Sequence, residues 1–185
     1  FVQIINSSQE SKSRKVEVIE FFSYACGACY HFEPIMKHWL ARKNESSDFT
    51  YMPAVFNEKM VPLAKLYYSL EARGLLGQLH GKVYEAIHKK EIALFDRDSI
   101  LKWVSTELGN EMGDFVEIYD SFSIGNKVRQ AAKMTRNYKI PGTPYVTVGG
   151  RYLTGPSMLV RDGKMSAERF SQVLDTLIKK YGQSK

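Results

Sequence analysis

The chain has 185 residues, a hydrophobic share of 44% and a formal net charge of +6 from 26 basic and 20 acidic side chains. That length suits one domain, or one domain carrying an insertion, and eleven tyrosines with ten phenylalanines can fill a sizeable core. No apolar run reaches the length of a membrane-spanning helix, and the basic residues are dispersed except at Lys12, Arg14 and Lys15, so a solvated surface is preferred over a nucleic-acid-binding one.

The first residue is Phe1 and no signal peptide is visible, so the sequence reads as a mature or trimmed form. Phe1–Asn6 alternates weakly and predicts a first strand, and Ser7–Ser13 is a polar connector. Val16–Phe22 is nearly continuous in apolar, strand-favouring residues and carries the acid Glu20; such a run reads as a central strand covered on both faces. A helix follows over Tyr30–Arg42 with Pro34 inside it, where the missing N–H predicts a kink. Asn44–Asp48 reads as a loop and Phe49–Phe56 as a strand interrupted by Pro53.

From Asn57 to Tyr138 the periodicity turns helical. Helices are expected over Val61–Arg73, ended by Gly74; over Leu75–Lys89, broken or bent near Gly81; from an Asp96 or Asp98 cap through Ile100, Val104 and Leu108 to Gly109; from Asp114 to Asp120; and from Ser123 to Tyr138. Strands return at Tyr145–Val148 and Arg151–Thr154, joined by a two-residue Gly149–Gly150 turn. A last amphipathic helix begins near Ser166–Ala167 and lines up Phe170, Val173, Leu174, Leu177 and Ile178. The order outside the helical stretch is β-β-α-β-β-β-α, an α/β chain with an inserted all-helical subdomain at 57–138 between the pieces 1–56 and 139–185. Its strand–helix–strand unit implies a parallel pair with a right-handed crossover.

The chemistry concentrates between the first long strand and its helix, at Cys26, Gly27, Ala28 and Cys29. A C-x-x-C at that place reads as a thioredoxin-like redox motif. The free N–H groups and positive dipole end of a helix start stabilise a sulfur anion. Such settings lower a cysteine pKa from about 8.5 to between roughly 3.5 and 7.5. Cys26, first and exposed, is the expected nucleophile, and Cys29, one turn further in, the resolving thiol. Two plainer readings compete. A structural disulfide closing a loop of about four residues contributes only about 2 kcal/mol, a poor staple for a domain this size. A zinc site would need a second ligand pair, and His31, His38, His80 and His88 do not supply the usual spacing.

A second constellation is Ile140-Pro-Gly-Thr-Pro-Tyr145, where Pro144 follows Thr143 at a strand entrance. X-Pro bonds are where cis peptides occur. Alone, the run would read as an ordinary trans start to a strand; in a chain that also carries C-x-x-C, the cis reading is preferred.

Taken together, EFFSYACGACYHFEP, the inserted VYEAIHKKEI and IYDSFSIGNKV, then IPGTPYVTVGGRY and the closing helix resemble the DsbA family of thiol:disulfide oxidoreductases over essentially the whole chain. The interval of eight residues from Cys26 to Pro34 matches as well. The resemblance implies a thioredoxin-like fold with an inserted helical domain, a cis Pro144 beside the cysteine pair, and Glu20 as the buried acid beneath the thiols. It implies no metal or organic cofactor. It further implies unfolded or partly folded cysteine-containing proteins as substrates, a DsbB-like membrane protein as reoxidase, a bacterial periplasmic location and a monomer. Many members carry Pro-His between the cysteines where this chain has Gly27-Ala28. Without the imidazole the Cys26 thiolate loses a stabilising neighbour, so a milder oxidant is expected.

By position alone Glu20 is equally a proton relay or a salt-bridged acid; the resemblance favours the relay to Cys29. Thr143 and Pro144 would offer a backbone edge to an extended substrate. Tyr24, Tyr145 and Met158 either add apolar surface around the thiols or simply pack. His31 reads as solvent-facing, and Trp39 and Trp103 as core. The expected activity is a dithiol oxidase. A reductase or isomerase on the same scaffold, and a peptide-binding module that dispenses with the thiols, are the competing functions.

Overall fold

The strand Val16–Phe22 (β2) is buried at every position except the half-buried Glu17, as its apolar run predicts. It lies inside a five-stranded sheet in the computed structural model, which describes residues 1–3, 15–43, 45–158 and 166–183. The sheet order is β1-β5-β4-β2-β3, with β1 at Val2–Gln3, β3 at Ser47–Pro53, β4 at Tyr145–Val148 and β5 at Tyr152–Thr154. β4 runs antiparallel to β2 (Glu20 opposite Val146, Phe21 opposite Tyr145), and β5 antiparallel to both β4 and β1. The rest of the expected first strand, the Ser7–Ser13 connector, and Lys12 and Arg14 lie outside the described residues.

The chain divides into two units, one of residues 1–22, 28–52 and 137–185, the other of 23–27 and 53–136. In the first, helix α1 (Gly27–Leu40) and the C-terminal helix, labelled α7 (Ala167–Gln183), cover the sheet. Phe32, Met36 and Trp39 meet Phe170, Leu174 and Leu177 over Val18, Val146 and Val148. Phe32 and Phe170 stack edge to face at 4.8 Å, and the Trp39 indole N–H donates to Asp175 Oδ1 at 3.0 Å. Buried indoles need such a partner for their polar end.

Several boundaries differ from expectation. α1 starts at Gly27 rather than Tyr30, so Cys29 stands in its first turn and Pro34 lies well inside it. β3 starts at Ser47, inside the stretch read as a loop, and Pro53 ends it instead of interrupting it; without an N–H, proline suits a strand end. The β4–β5 turn is one residue longer than a two-residue hairpin, because Val148 pairs with Tyr152 and Arg151 is left over, although its N–H still donates to the Val148 carbonyl at 3.1 Å. Gly149 is constrained there: φ is +58°, and a Cβ would fall 2.3 Å from the Tyr181 ring, so any other side chain must displace it.

The second unit holds helices α2 (Val61–Ala72), α3 (Leu76–His88), α4 (Arg97–Leu108), α5 (Phe115–Asp120) and α6 (Phe122–Asn137). Gly74 at φ +67° ends α2, with Leu75 N–H donating to the Leu70 carbonyl and Gly74 N–H to that of Glu71, a Schellman closure. α3 passes through Gly81 unbroken. Asp96, not Asp98, caps α4: its carboxylate accepts from Ser99 N–H while the Ser99 side chain reaches back to Asp96. No helix among the described residues is long and apolar enough to cross a membrane.

Candidate active site

The segment leaving β2 closes a tight turn. Cys26 N–H donates to the Ser23 carbonyl at 3.1 Å, and Ala25 N–H to Ser23 Oγ at 3.3 Å. α1 begins at the next residue, so Cys26 stands immediately before a helix start and Cys29 within its first turn. The two are unequal: Cys26 is half-buried, Cys29 is 0% exposed, and both are in the dithiol form. Gly27 and Ala28 between them are exposed. A sulfur just ahead of a helix faces N–H groups that lack intrahelical partners and the positive end of the dipole, which favours its anion.

Glu20 is 1% exposed, and its Oε2 has no hydrogen-bond partner. Burial pushes its carboxyl well above the ordinary value of 4.5, and the charge of Glu33 adds to the rise. A carboxyl in that state holds a proton where a surface acid has lost it. Glu33 is the site residue that sequence reasoning missed. It is 5% exposed inside α1, and its Oε1 accepts from the Tyr51 hydroxyl at 3.4 Å and pairs with Lys37 Nζ at 3.3 Å. The available signal was its place beside Phe32 and three residues before Met36, both core positions. The half-buried Glu17 on β2 was also passed over; burial raises its carboxyl while a bond from the Tyr138 hydroxyl opposes the rise.

The Thr143–Pro144 bond is cis. Continuing the β2–β4 register by one step from Phe21 opposite Tyr145 sets Pro144 level with Phe22, the last residue of β2 and four residues before Cys26 in the chain. Thr143 and Tyr145 are half-buried and Pro144 is buried. Gly155 makes this approach fit, because a Cβ there would lie 3.0 Å from the Pro144 carbonyl oxygen and 3.2 Å from the Tyr145 ring.

Tyr24 departs from its expected part. At 1% exposure it offers no apolar surface; its ring packs edge to face on Tyr84 at 5.1 Å, and its hydroxyl shares a 2.7 Å hydrogen bond with His80 Nδ1. Met158 is half-buried, His31 is exposed, and Trp39 and Trp103 are core. No group of three or more His, Cys, Asp or Glu side chains among the described residues could hold a metal ion. A cleft of about 570 Å³ in the helical unit, floored by Val55, Val61 and Val128, contains none of the expected site residues.

Residues 48–174 match the family model of the DSBA-like thioredoxin domain. A thiol:disulfide interchange protein DsbA of Burkholderia cepacia is 36% identical over 171 residues, 92% of this chain and 78% of that protein. A DsbA of Pseudomonas syringae pv. tomato is 30% identical over 152 residues, 82% of this chain and 71% of that one. The crystal structure of Pseudomonas aeruginosa DsbA superposes with a TM-score of 0.85 at 27% identity, covering 99% of this chain and 92% of that one.

Proposed function

Because the chain belongs to the DsbA family of thioredoxin-like thiol:disulfide oxidoreductases, we propose that Cys26 is its reacting sulfur and Cys29 its resolving one. The observation that carries this assignment is the inequality of the pair: Cys26, immediately before α1, is half-buried, and Cys29, in its first turn, is 0% exposed. In the oxidised protein a substrate thiolate attacks Cys26 Sγ. The Cys26–Cys29 bond breaks, a substrate–Cys26 disulfide forms, and Cys29 departs as a thiolate. A second substrate thiolate then attacks the substrate's own sulfur in that mixed disulfide and expels the Cys26 thiolate. Two electrons pass from the substrate dithiol to the protein, and no metal or bound organic cofactor is required.

Glu20 serves as the proton source and sink for Cys29, a role its raised pKa and burial support. Thr143 and Pro144 present backbone at the end of β4 to an extended substrate, an exchange of main-chain bonds that reads no side chains, and Tyr145 borders them. Tyr24 acts from beneath, as a buried support. Residues 1–56 and 139–185 form the thioredoxin-like domain and 57–138 its helical insertion. The substrates are unfolded or partly folded cysteine-containing proteins of the bacterial periplasm, a DsbB-like membrane protein reoxidises the pair, and the protein works as a monomer that engages no nucleic acid. With Gly27-Ala28 between the cysteines it is a milder oxidant than members with a histidine there.

Equilibration of the pair against glutathione, followed by trapping with the single-cysteine variants, tests the assignment. Cys29→Ala should accumulate a mixed disulfide with an unfolded substrate whose cysteines are carried as glutathione mixed disulfides, releasing reduced glutathione as it forms, and Cys26→Ser should form none. Exchange that survives Cys26→Ser would end it.

A further inference from the structure

The residue two places before Cys26 is held at both ends by one face of α3. His80, Tyr84 and His88 stand four residues apart along that helix, so they form a column about 12 Å long. Tyr24 lies along it. Its hydroxyl meets His80 Nδ1 at 2.7 Å, its ring meets Tyr84 edge to face at 5.1 Å, and its backbone carbonyl meets His88 Nε2 at 2.7 Å. A carbonyl only accepts, so His88 carries its proton on Nε2 and donates it. The Tyr24 hydroxyl, ring and carbonyl each meet one of the three, so one residue engages three successive turns of the helix.

From Tyr24 the constraint passes directly to the reacting residue. The Ser23–Cys26 turn is closed by Cys26 N–H on the Ser23 carbonyl and by Ala25 N–H on Ser23 Oγ. Tyr24 sits inside that turn, and rotating its peptide would move Cys26. Stabilisation of a thiolate by a helix start decays within the first turn, so a small displacement of the sulfur costs much of it.

We propose that His80 and His88 are positioning residues for Cys26: by fixing the hydroxyl and the carbonyl of Tyr24 they hold the sulfur where α1 stabilises its anion. Neither imidazole is assigned to touch substrate. This inference rests on Cys26 being the reacting thiol.

The test compares wild type with His88→Ala, His88→Gln and Tyr24→Phe in the full chain. Cys26 ionisation is followed by thiolate absorbance against pH, the redox equilibrium is measured against glutathione, and Tm is recorded for each. His88→Ala should shift the glutathione equilibrium constant by about tenfold toward the disulfide form, with a matching rise in the Cys26 pKa, since a half-buried bond to the turn is lost. His88→Gln, whose amide can donate to the same carbonyl, should restore both to within about twofold. Tyr24→Phe keeps the ring and should shift both in the same direction by less. If His88→Ala lowers Tm but leaves ionisation and equilibrium at wild-type values, the histidines are packing alone and the proposal fails. Should His88→Ala not fold, Tyr24→Phe decides: a shift of ionisation and equilibrium in the stated direction supports the proposal, and wild-type values in it overturn the proposal. A wild-type protein with no measurable exchange through Cys26 would instead refute the assignment of the reacting thiol.

Discussion

The two units solve the problem of burying polar groups in opposite ways. The sheet-bearing unit buries acids, Glu20 on β2 and Glu33 on α1, and burial, with the Glu33 charge adding to it, holds the Glu20 carboxyl well above its ordinary range. The helical unit buries aromatic hydroxyls and a histidine instead and gives several of these groups a bonded partner: Tyr119 donates to the Pro62 carbonyl at 3.1 Å, Thr135 to that of Ala131 at 2.8 Å, and Tyr24 is bonded to His80 Nδ1. The first arrangement keeps a group ready to change its protonation. The second suits support, because these hydroxyls are tied to fixed partners.

The largest effect expected from pressing on this contrast is in the sheet unit's core. Phe170→Ala removes a ring that is 0% exposed and stacked on Phe32, and should cost about 3–5 kcal/mol in urea unfolding; a loss near zero would mean that the two helices do not depend on that contact. Glu20→Gln should act through pH. The folded protein keeps a proton on Glu20 that the unfolded chain releases near 4.5, so the carboxyl erodes stability as pH climbs from that value toward its raised folded pKa. The variant should therefore gain stability relative to wild type on moving up through that window and should flatten the pH–rate profile of exchange. Parallel curves for the two proteins would show that the acid is not held neutral. Gly149→Ala must either displace the Tyr181 ring or open the turn, at about 1–3 kcal/mol; unaltered stability would show that the ring yields freely. Smallest is Asp96→Ala, which opens a cap on the exposed start of α4 and should lower Tm by only a few degrees, with no change in exchange rate. A change in rate there would show that the helical unit's supporting part extends further than the Tyr24 column.

How much of this was readable in the sequence follows the same division. Val16–Phe22 announces a buried strand because five of its seven side chains are apolar or aromatic, and the C-x-x-C that follows is a pattern of rare residues at a fixed spacing. Ser47 carries no such mark; it belongs to β3 because its surroundings bury it to 1% exposure. Gly81 suggested a break because glycine weakens a helix by about 1 kcal/mol, yet Leu79, Val83 and Tyr84 on either side are buried deeply enough to carry α3 through. Glu33 escaped notice, and His80 was weighed only as a metal ligand, because a charged or imidazole side chain on a helix ordinarily faces water. Only tertiary packing turned them inward, and periodicity does not register that.

Gly155 does no chemistry, yet its smallness is what lets the chain pass so near Pro144. Adding even one methyl would oblige the Pro144 carbonyl or the Tyr145 ring to retreat by a few tenths of an ångström. A saturation library scored for disulfide transfer should therefore flag position 155 as intolerant alongside the cysteines, although the residue there contributes neither electron nor proton.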